Sequence, residues 1–189
     1  MKSQFAVIIL HIDTVVKAAR SKEDIMDKHS PGVSTNKLVY TSLTACLIML
    51  GTLLFRIPIP MTQGYVHLGD GMIYIGVLLL GRKQGSFAAA LGSALGDILG
   101  GFAFWAPWSF IIKYAMAFVA GSLLEKSSRI ISMTAGGFVM CAGYLIAERI
   151  MYGSWTPAAV GLPWNIGQFA VGIAVALAAQ PLLRFIPEK

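Results

Sequence analysis

Six apolar runs, punctuated by proline, glycine or short basic turns, organise most of this 189-residue chain. The first extends from about Leu38 to Ile57 and stops at Pro58-Ile59-Pro60. A loop carrying Met61, Thr62, Gln63, Gly64 and Tyr65 leads to a shorter run, about His67 to Gly81, closed by Gly81-Arg82-Lys83-Gln84-Gly85. The third ends near Gly101, before the aromatic stretch Phe102-Ala103-Phe104-Trp105-Ala106-Pro107. The fourth, about Pro107 to Leu124, gives way to Glu125-Lys126-Ser127-Ser128-Arg129. The fifth covers roughly Ile130 to Tyr152, and a loop rich in Gly, Pro and Trp precedes the sixth, about Trp164 to Phe185. A helix needs about 20 apolar residues to cross a bilayer. The pattern predicts an all-α integral membrane protein, with residues 37–189 forming a compact bundle of six transmembrane helices.

Residues 1–36 read differently. Phe5, Ile8, Ile9, Ile12, Val15, Val16 and Ala19 follow helical spacing, which predicts a cytoplasmic tail carrying an amphipathic surface helix. The apolar stretch Phe5 to Leu10 is short for a signal peptide, and no small-residue cleavage site follows it. Ser30-Pro31-Gly32 marks a break before the first span.

Composition sharpens the class. Hydrophobic residues make up 56% of the chain and charged residues only 13%, against about 25% charged in soluble domains; the mean hydropathy is +0.69. A soluble fold of this length could not bury so much apolar surface. The net charge of +6 suits a membrane protein with basic cytoplasmic loops better than a nucleic-acid partner. With the N-terminus inside, Lys and Arg number twelve on the inner side (six in the tail counted through Lys37, two each in the 82–83 turn, the 126–129 turn and the C-terminus). Arg56 and Arg149 alone fall outside. The positive-inside rule then places both termini in the cytoplasm. Cys46 and Cys141 lie in apolar runs and read as packing residues.

The same topology gathers the unusual polar residues at one end. Asp70 opens the second span, Asp97 lies in the outer part of the third and Lys113 sits about two turns into the fourth. Glu148 and Arg149 end the fifth, while Asn165 and Gln168 open the sixth. Ionisable groups at membrane depth are costly unless paired or facing a polar cavity, which makes them functional candidates. The alternative is an Asp97–Lys113 ion pair locking two helices. Tyr65, Trp105, Trp108, Tyr144, Tyr152, Trp155 and Trp164 cluster at that end too. Two readings stand: an interfacial belt, or a pocket for a flat ring, favoured because no Trp lies at a predicted inner end.

Ala88, Gly92, Gly96 and Gly100 form a stripe at i, i+4 spacing, which lets helix backbones approach closely. Thr41 with Ala45, and Ser42 with Cys46, make small-residue faces on the first span, suited to internal packing or to a partner protein. The P-loop signature G-x-x-x-x-G-K-[ST] does not occur, nor does H-E-x-x-H, and His11, His29 and His67 are too scattered for a zinc site. Leu-Gly-Asp occurs at 68–70 and 95–97, but intramembrane aspartyl proteases carry G-x-G-D, and here His67 and Ala94 replace the first glycine.

The segments His67-Leu68-Gly69-Asp70, Leu79-Leu80-Gly81-Arg82, Gly92-Ser93-Ala94-Leu95-Gly96-Asp97, Trp105-Ala106-Pro107 and Ile111-Ile112-Lys113 together resemble the substrate-binding S components of energy-coupling-factor (ECF) vitamin transporters. The similarity is to the riboflavin, hydroxymethylpyrimidine and pyridoxine branch and covers roughly residues 37–186. It implies a pocket at the outer face of the bacterial plasma membrane, capped by the loop from about Pro58 to Val66. It also implies a non-enzymatic transport subunit without a cofactor, working with a transmembrane coupling protein and two ATPase subunits that alone use ATP. Members commonly dock through an Ala-x-x-x-Ala face on the first helix, for which Thr41, Ala45, Ser42 and Cys46 are the counterparts here. On this reading Lys113, Glu148, Asn165 and Gln168 supply polar contacts, while Trp105, Trp108, Tyr144, Trp164 and Tyr65 enclose the ring of a vitamin or precursor. Hydroxymethylpyrimidine or pyridoxine stands ahead of riboflavin. The alternative class is an ion-driven secondary transporter, for which an internal repeat with interrupted helices is expected.

Overall fold

The computed structural model describes residues 35–59 and 64–183. The chain divides into two units, residues 1–38 and residues 39–189; the second carries everything that follows. The predicted surface helix in residues 1–34 lies outside the described residues.

Helix α1 (Thr35–Leu54) is followed by two short strands, β1 (Arg56–Pro58) and β2 (Tyr65–His67), and then by helices α2 (Gly69–Leu99), α3 (Ala106–Leu123), α4 (Arg129–Tyr152) and α5 (Trp155–Leu183). The strands pair antiparallel, with Ile57 opposite Val66, and Ile59 N–H donates to the Gly64 carbonyl at 3.0 Å. The helical expectation therefore gains one β-hairpin where a loop was expected. A second difference lies after α4, where helix resumes at Trp155 and runs through Pro163. The expected Gly/Pro/Trp loop shrinks to the turn at Gly153, whose φ of 66° ends α4 in the left-handed region.

Helix α2 is broken at Gly81, where φ is 74° and ψ −177°, a conformation that side-chain-bearing residues avoid. The chain doubles back there. A Cβ placed on Gly85 would lie 2.8 Å from Val77 Cα, an approach impossible along one straight helix. The half 69–80 therefore runs antiparallel to the half 82–99, and both halves lie against α1. Gly76 meets Thr44 and Gly51 meets Gly69 on one side; on the other, Gly92 meets Ala45 and Ile48, and Gly96 meets Thr52. The small-residue stripe is thus the seat of α1, and its glycines allow the close approach.

Among the described residues four helices (α1, α3, α4 and α5) are long and apolar enough to cross a membrane. Large apolar side chains point outward on them: Leu43, Leu47 and Leu50 on α1, Ile111 on α3, Phe138, Ile146 and Ile150 on α4, and Val171 on α5. A soluble monomer would not leave such a belt uncovered; lipid covers it at no cost. The protein is an integral membrane protein. Inside, Tyr74, Ile112, Met116, Met133, Met140 and Phe169 form the core between α2, α3, α4 and α5. Tyr74 satisfies its hydroxyl by donating to the Met133 carbonyl at 2.8 Å.

The half-helix 69–80 has twelve residues, roughly 18 Å of rise at about 1.5 Å per residue. It falls about 12 Å short of the roughly 30 Å hydrocarbon thickness its neighbours match. The missing length is at the hairpin end, where a cleft opens.

Candidate functional site

The cleft is lined by Ile59, Gly64, Tyr65, His67, Asp97, Trp105, Ser109, Tyr144, Glu148, Asn165 and Gln168, and encloses about 380 Å³ of empty volume including its mouth. Each bundle helix around it presents one face. Trp105 and Ser109 are one turn apart at the start of α3, Tyr144 and Glu148 one turn apart in α4, and Asn165 and Gln168 three residues apart in α5, spacings that stack side chains on the same side of a helix. Pro107 sits in the first turn of α3, where its missing N–H costs nothing and its fixed φ favours helix entry. The β-hairpin covers the fourth side.

The rings give the cleft an aromatic side. Trp105 is buried and meets Tyr144 edge-on at 5.8 Å, while the Tyr144 hydroxyl shares a 3.0 Å hydrogen bond with Ser109 Oγ. Tyr65, from the hairpin, donates to Asp97 Oδ1 at 2.6 Å. Burial, followed by the negative charge of Asp97, raises the Tyr65 phenol above its ordinary pKa, so the hydroxyl stays a donor. Arg56 fixes the outer side of this contact: its guanidinium donates to the Gly100 carbonyl at 2.9 Å and lies over the Tyr65 ring at 5.5 Å.

Beneath the cleft lies a closed polar network. Lys113 is fully buried; its Nζ donates to Asp70 Oδ1 at 2.5 Å and to Met140 Sδ at 2.9 Å, and lies 5.4 Å from the Tyr144 ring centre. Gln168 donates from Nε2 to Asp70 Oδ2 at 2.9 Å and accepts the His67 backbone N–H on Oε1 at 3.0 Å. It therefore ties the hairpin to the ion pair. His67 Nδ1 accepts from the Gly69 N–H at 3.0 Å. Burial, then the nearby Lys113 charge, pushes the His67 imidazole down to about 4, which keeps it neutral and able to accept near pH 7.

Of the residues singled out in the sequence, Tyr65, Trp105, Tyr144, Glu148, Asn165 and Gln168 line the cleft. Lys113 does not; it lies below, and its partner is Asp70 rather than Asp97. Trp108 packs half-buried against the core. Trp164 is 38% exposed and Trp155 58% exposed, Trp155 lying under Arg149 at 5.5 Å. The aromatic cluster thus divides between a pocket wall and an outward-facing set. Of the two faces on α1, Thr41 and Ala45 are buried in the bundle, whereas Ser42 and Cys46 face outward. Asp97, a candidate from the sequence expected to shape the outer loops rather than touch a ligand, also lines the cleft, as do His67, Ser109 and Ile59, which were not among those candidates. Ser109 had a signal, standing four residues after Trp105; His67 and Ile59 reach the cleft only through the hairpin. Asp70 and Asp97 share no hydrogen bond, each being held by different partners.

A family model described as "ECF-type riboflavin transporter, S component" matches residues 32–184, which takes in the whole cleft and every helix around it. The chain belongs to that family. As an ECF S component it is a transport subunit rather than an enzyme, a multi-pass protein of the cell membrane that works with a vitamin-type substrate and an ECF module. Two relatives carry the likeness further. The chain is 32% identical over 160 residues to the "Thiamine precursor transporter HmpT" of Lactococcus lactis subsp. cremoris (strain MG1363), covering 84% of this chain and 92% of that protein. It is 34% identical over 110 residues to an "Uncharacterized protein in gap 3'region" of Pyrococcus woesei, covering 56% of this chain and 74% of that one. The cleft described above is this S component's candidate substrate site.

Proposed function

We propose that this S component captures a thiamine precursor, hydroxymethylpyrimidine, at the outer face of the cell membrane and delivers it to a transmembrane coupling protein driven by two ATPase subunits. The observation that carries the ligand class is the cleft itself, lined by the aromatic Trp105 and Tyr144 together with the polar groups of Asp97, Glu148, Asn165 and Gln168. A flat ring with several hydrogen-bonding substituents fits that lining. The similarity to a thiamine precursor transporter points the same way.

In this reading the two halves of α2 count separately, giving six spans with both termini cytoplasmic. The basic turns at 82–83 and 126–129 then lie inside and the cleft opens outward. Ser42 and Cys46, on the outward face of α1, are the small pair available for docking the coupling protein.

Titration calorimetry on the purified full-length protein tests the ligand. Hydroxymethylpyrimidine should bind at least about tenfold more tightly than riboflavin, and uptake in cells should cease when the ATPase subunits are removed. Uptake sustained by a proton or sodium gradient alone would replace this reading with an ion-driven transporter. Thiol labelling of single cysteines at positions 83 and 155 tests the topology, with only position 155 reached from outside.

A further inference from the structure

The charges around the cleft do not balance. Among the described residues two acids line it, Asp97 and Glu148, and no Lys or Arg does. The nearest cations are already engaged: Lys113 by Asp70 and Met140, and Arg56 by the carbonyls of Leu53 and Gly100.

Each acid also keeps one oxygen unfilled. Asp97 spends Oδ1 on the Tyr65 hydroxyl, but among the described residues its Oδ2 has no hydrogen-bond partner, and neither does Glu148 Oε2. Both residues are almost completely buried, at 4% and 2% exposure. A buried acceptor without a donor is rare in folded proteins because it forfeits the hydrogen bonds water supplied. Two in one cleft mark places where a bound molecule supplies the donors. Glu148 is held there by shape: a Cβ on Gly161 would stand 2.8 Å from both of its carboxylate oxygens. Only glycine at that point of α5 leaves room for the carboxyl group in its present position.

We infer that Asp97 and Glu148 are the specificity-determining residues of this site, selecting a nitrogen heterocycle that offers a hydrogen-bond donor to each acid and rejecting anionic forms of the same ring. This rests on the substrate reading above and adds a rule to it: the cargo is the free, unphosphorylated molecule. An aminopyrimidine alcohol meets the rule, with its exocyclic amine and its hydroxyl as the two donors. Its phosphate ester replaces one donor with a dianion facing a buried acid.

The test is titration calorimetry on the full-length protein in detergent, with three probes: 4-amino-5-hydroxymethyl-2-methylpyrimidine, its phosphate ester, and the analogue lacking the 4-amino group. The ester should bind about 100-fold more weakly than the alcohol, and the deamino analogue about 10-fold more weakly. Glu148→Gln and Asp97→Asn should weaken binding of the alcohol by about tenfold and narrow the gap between alcohol and ester. The wild-type comparison stands even if a variant does not fold. An ester that binds within about threefold of the alcohol overturns the inference while leaving the substrate reading intact. If the alcohol fails to bind and riboflavin binds, the substrate reading falls, and riboflavin against its 5′-phosphate then tests the charge rule. Equal affinity for that pair overturns the rule as well.

Discussion

Replacing Lys113 by methionine keeps the length of the side chain and removes its charge, which isolates the ion pair beneath the cleft. Lys113 and Asp70 are both fully buried and 2.5 Å apart. After the substitution Asp70 retains a single hydrogen bond, from Gln168 Nε2, and its negative charge is left without a counter-charge. Removing one partner of a buried pair costs about 3–5 kcal/mol, whereas replacing both by uncharged groups is often near neutral. For a chain of this size about 2–4 °C of melting temperature corresponds to each kcal/mol, so the midpoint should fall by roughly 6–20 °C. The double variant Lys113→Met/Asp70→Asn should recover most of that loss, because asparagine still accepts from Gln168 and carries no charge. The assay is thermal unfolding in detergent, followed by tryptophan fluorescence. The reasoning is refuted if the single variant melts within about 2 °C of the parent, or if the double variant is no more stable than the single.

Three further outcomes follow from the geometry. Gly161→Ala should push the Glu148 carboxyl out of its seat, since the new methyl lies 2.8 Å from both oxygens; calorimetry should show at least about a tenfold loss of affinity with a melting shift under about 4 °C. Tyr65→Phe leaves Asp97 with no phenol donor and should loosen the hairpin, seen as faster hydrogen exchange at the Ile59 amide, at a cost of about 1–3 kcal/mol. The third concerns pH. Because the folded His67 lies near 4, below its unfolded value of about 6.5, the unfolded chain binds the proton more readily between those values. The His67 contribution to stability should therefore be level above about pH 6.5 and decline as the pH falls toward 4. His67→Gln should flatten that part of the melting-temperature profile, and an unchanged slope would remove His67 as the cause.

The hydrophobic pattern by itself determined the solvent. Runs of about 20 apolar residues have one stable environment, and every helical segment but the last, which begins nine residues early at Trp155, sits within a few residues of its run because backbone hydrogen bonds in a bilayer must close within the segment. Gly81 was legible as a break, since few other residues adopt its φ. The stripe Ala88, Gly92, Gly96 and Gly100 was legible as a packing face, though not that α1 fills it. The pocket was legible in part, because Trp105, Tyr144, Glu148, Asn165 and Gln168 repeat at helical spacing and fall at the same end.

Only the tertiary structure decided which polar group meets which. Asp70 and Asp97 follow the same Leu-Gly dipeptide, yet one neutralises Lys113 below the cleft and the other turns an oxygen into it. Spacing along a helix fixes the face a side chain takes; its partner depends on how neighbouring helices are rotated and displaced. The hairpin arises the same way. Residues 56–58 and 65–67 pair across a stretch of chain that no helical or alternating pattern marks, and the pair reaches the cleft only once the longer helices stand around it.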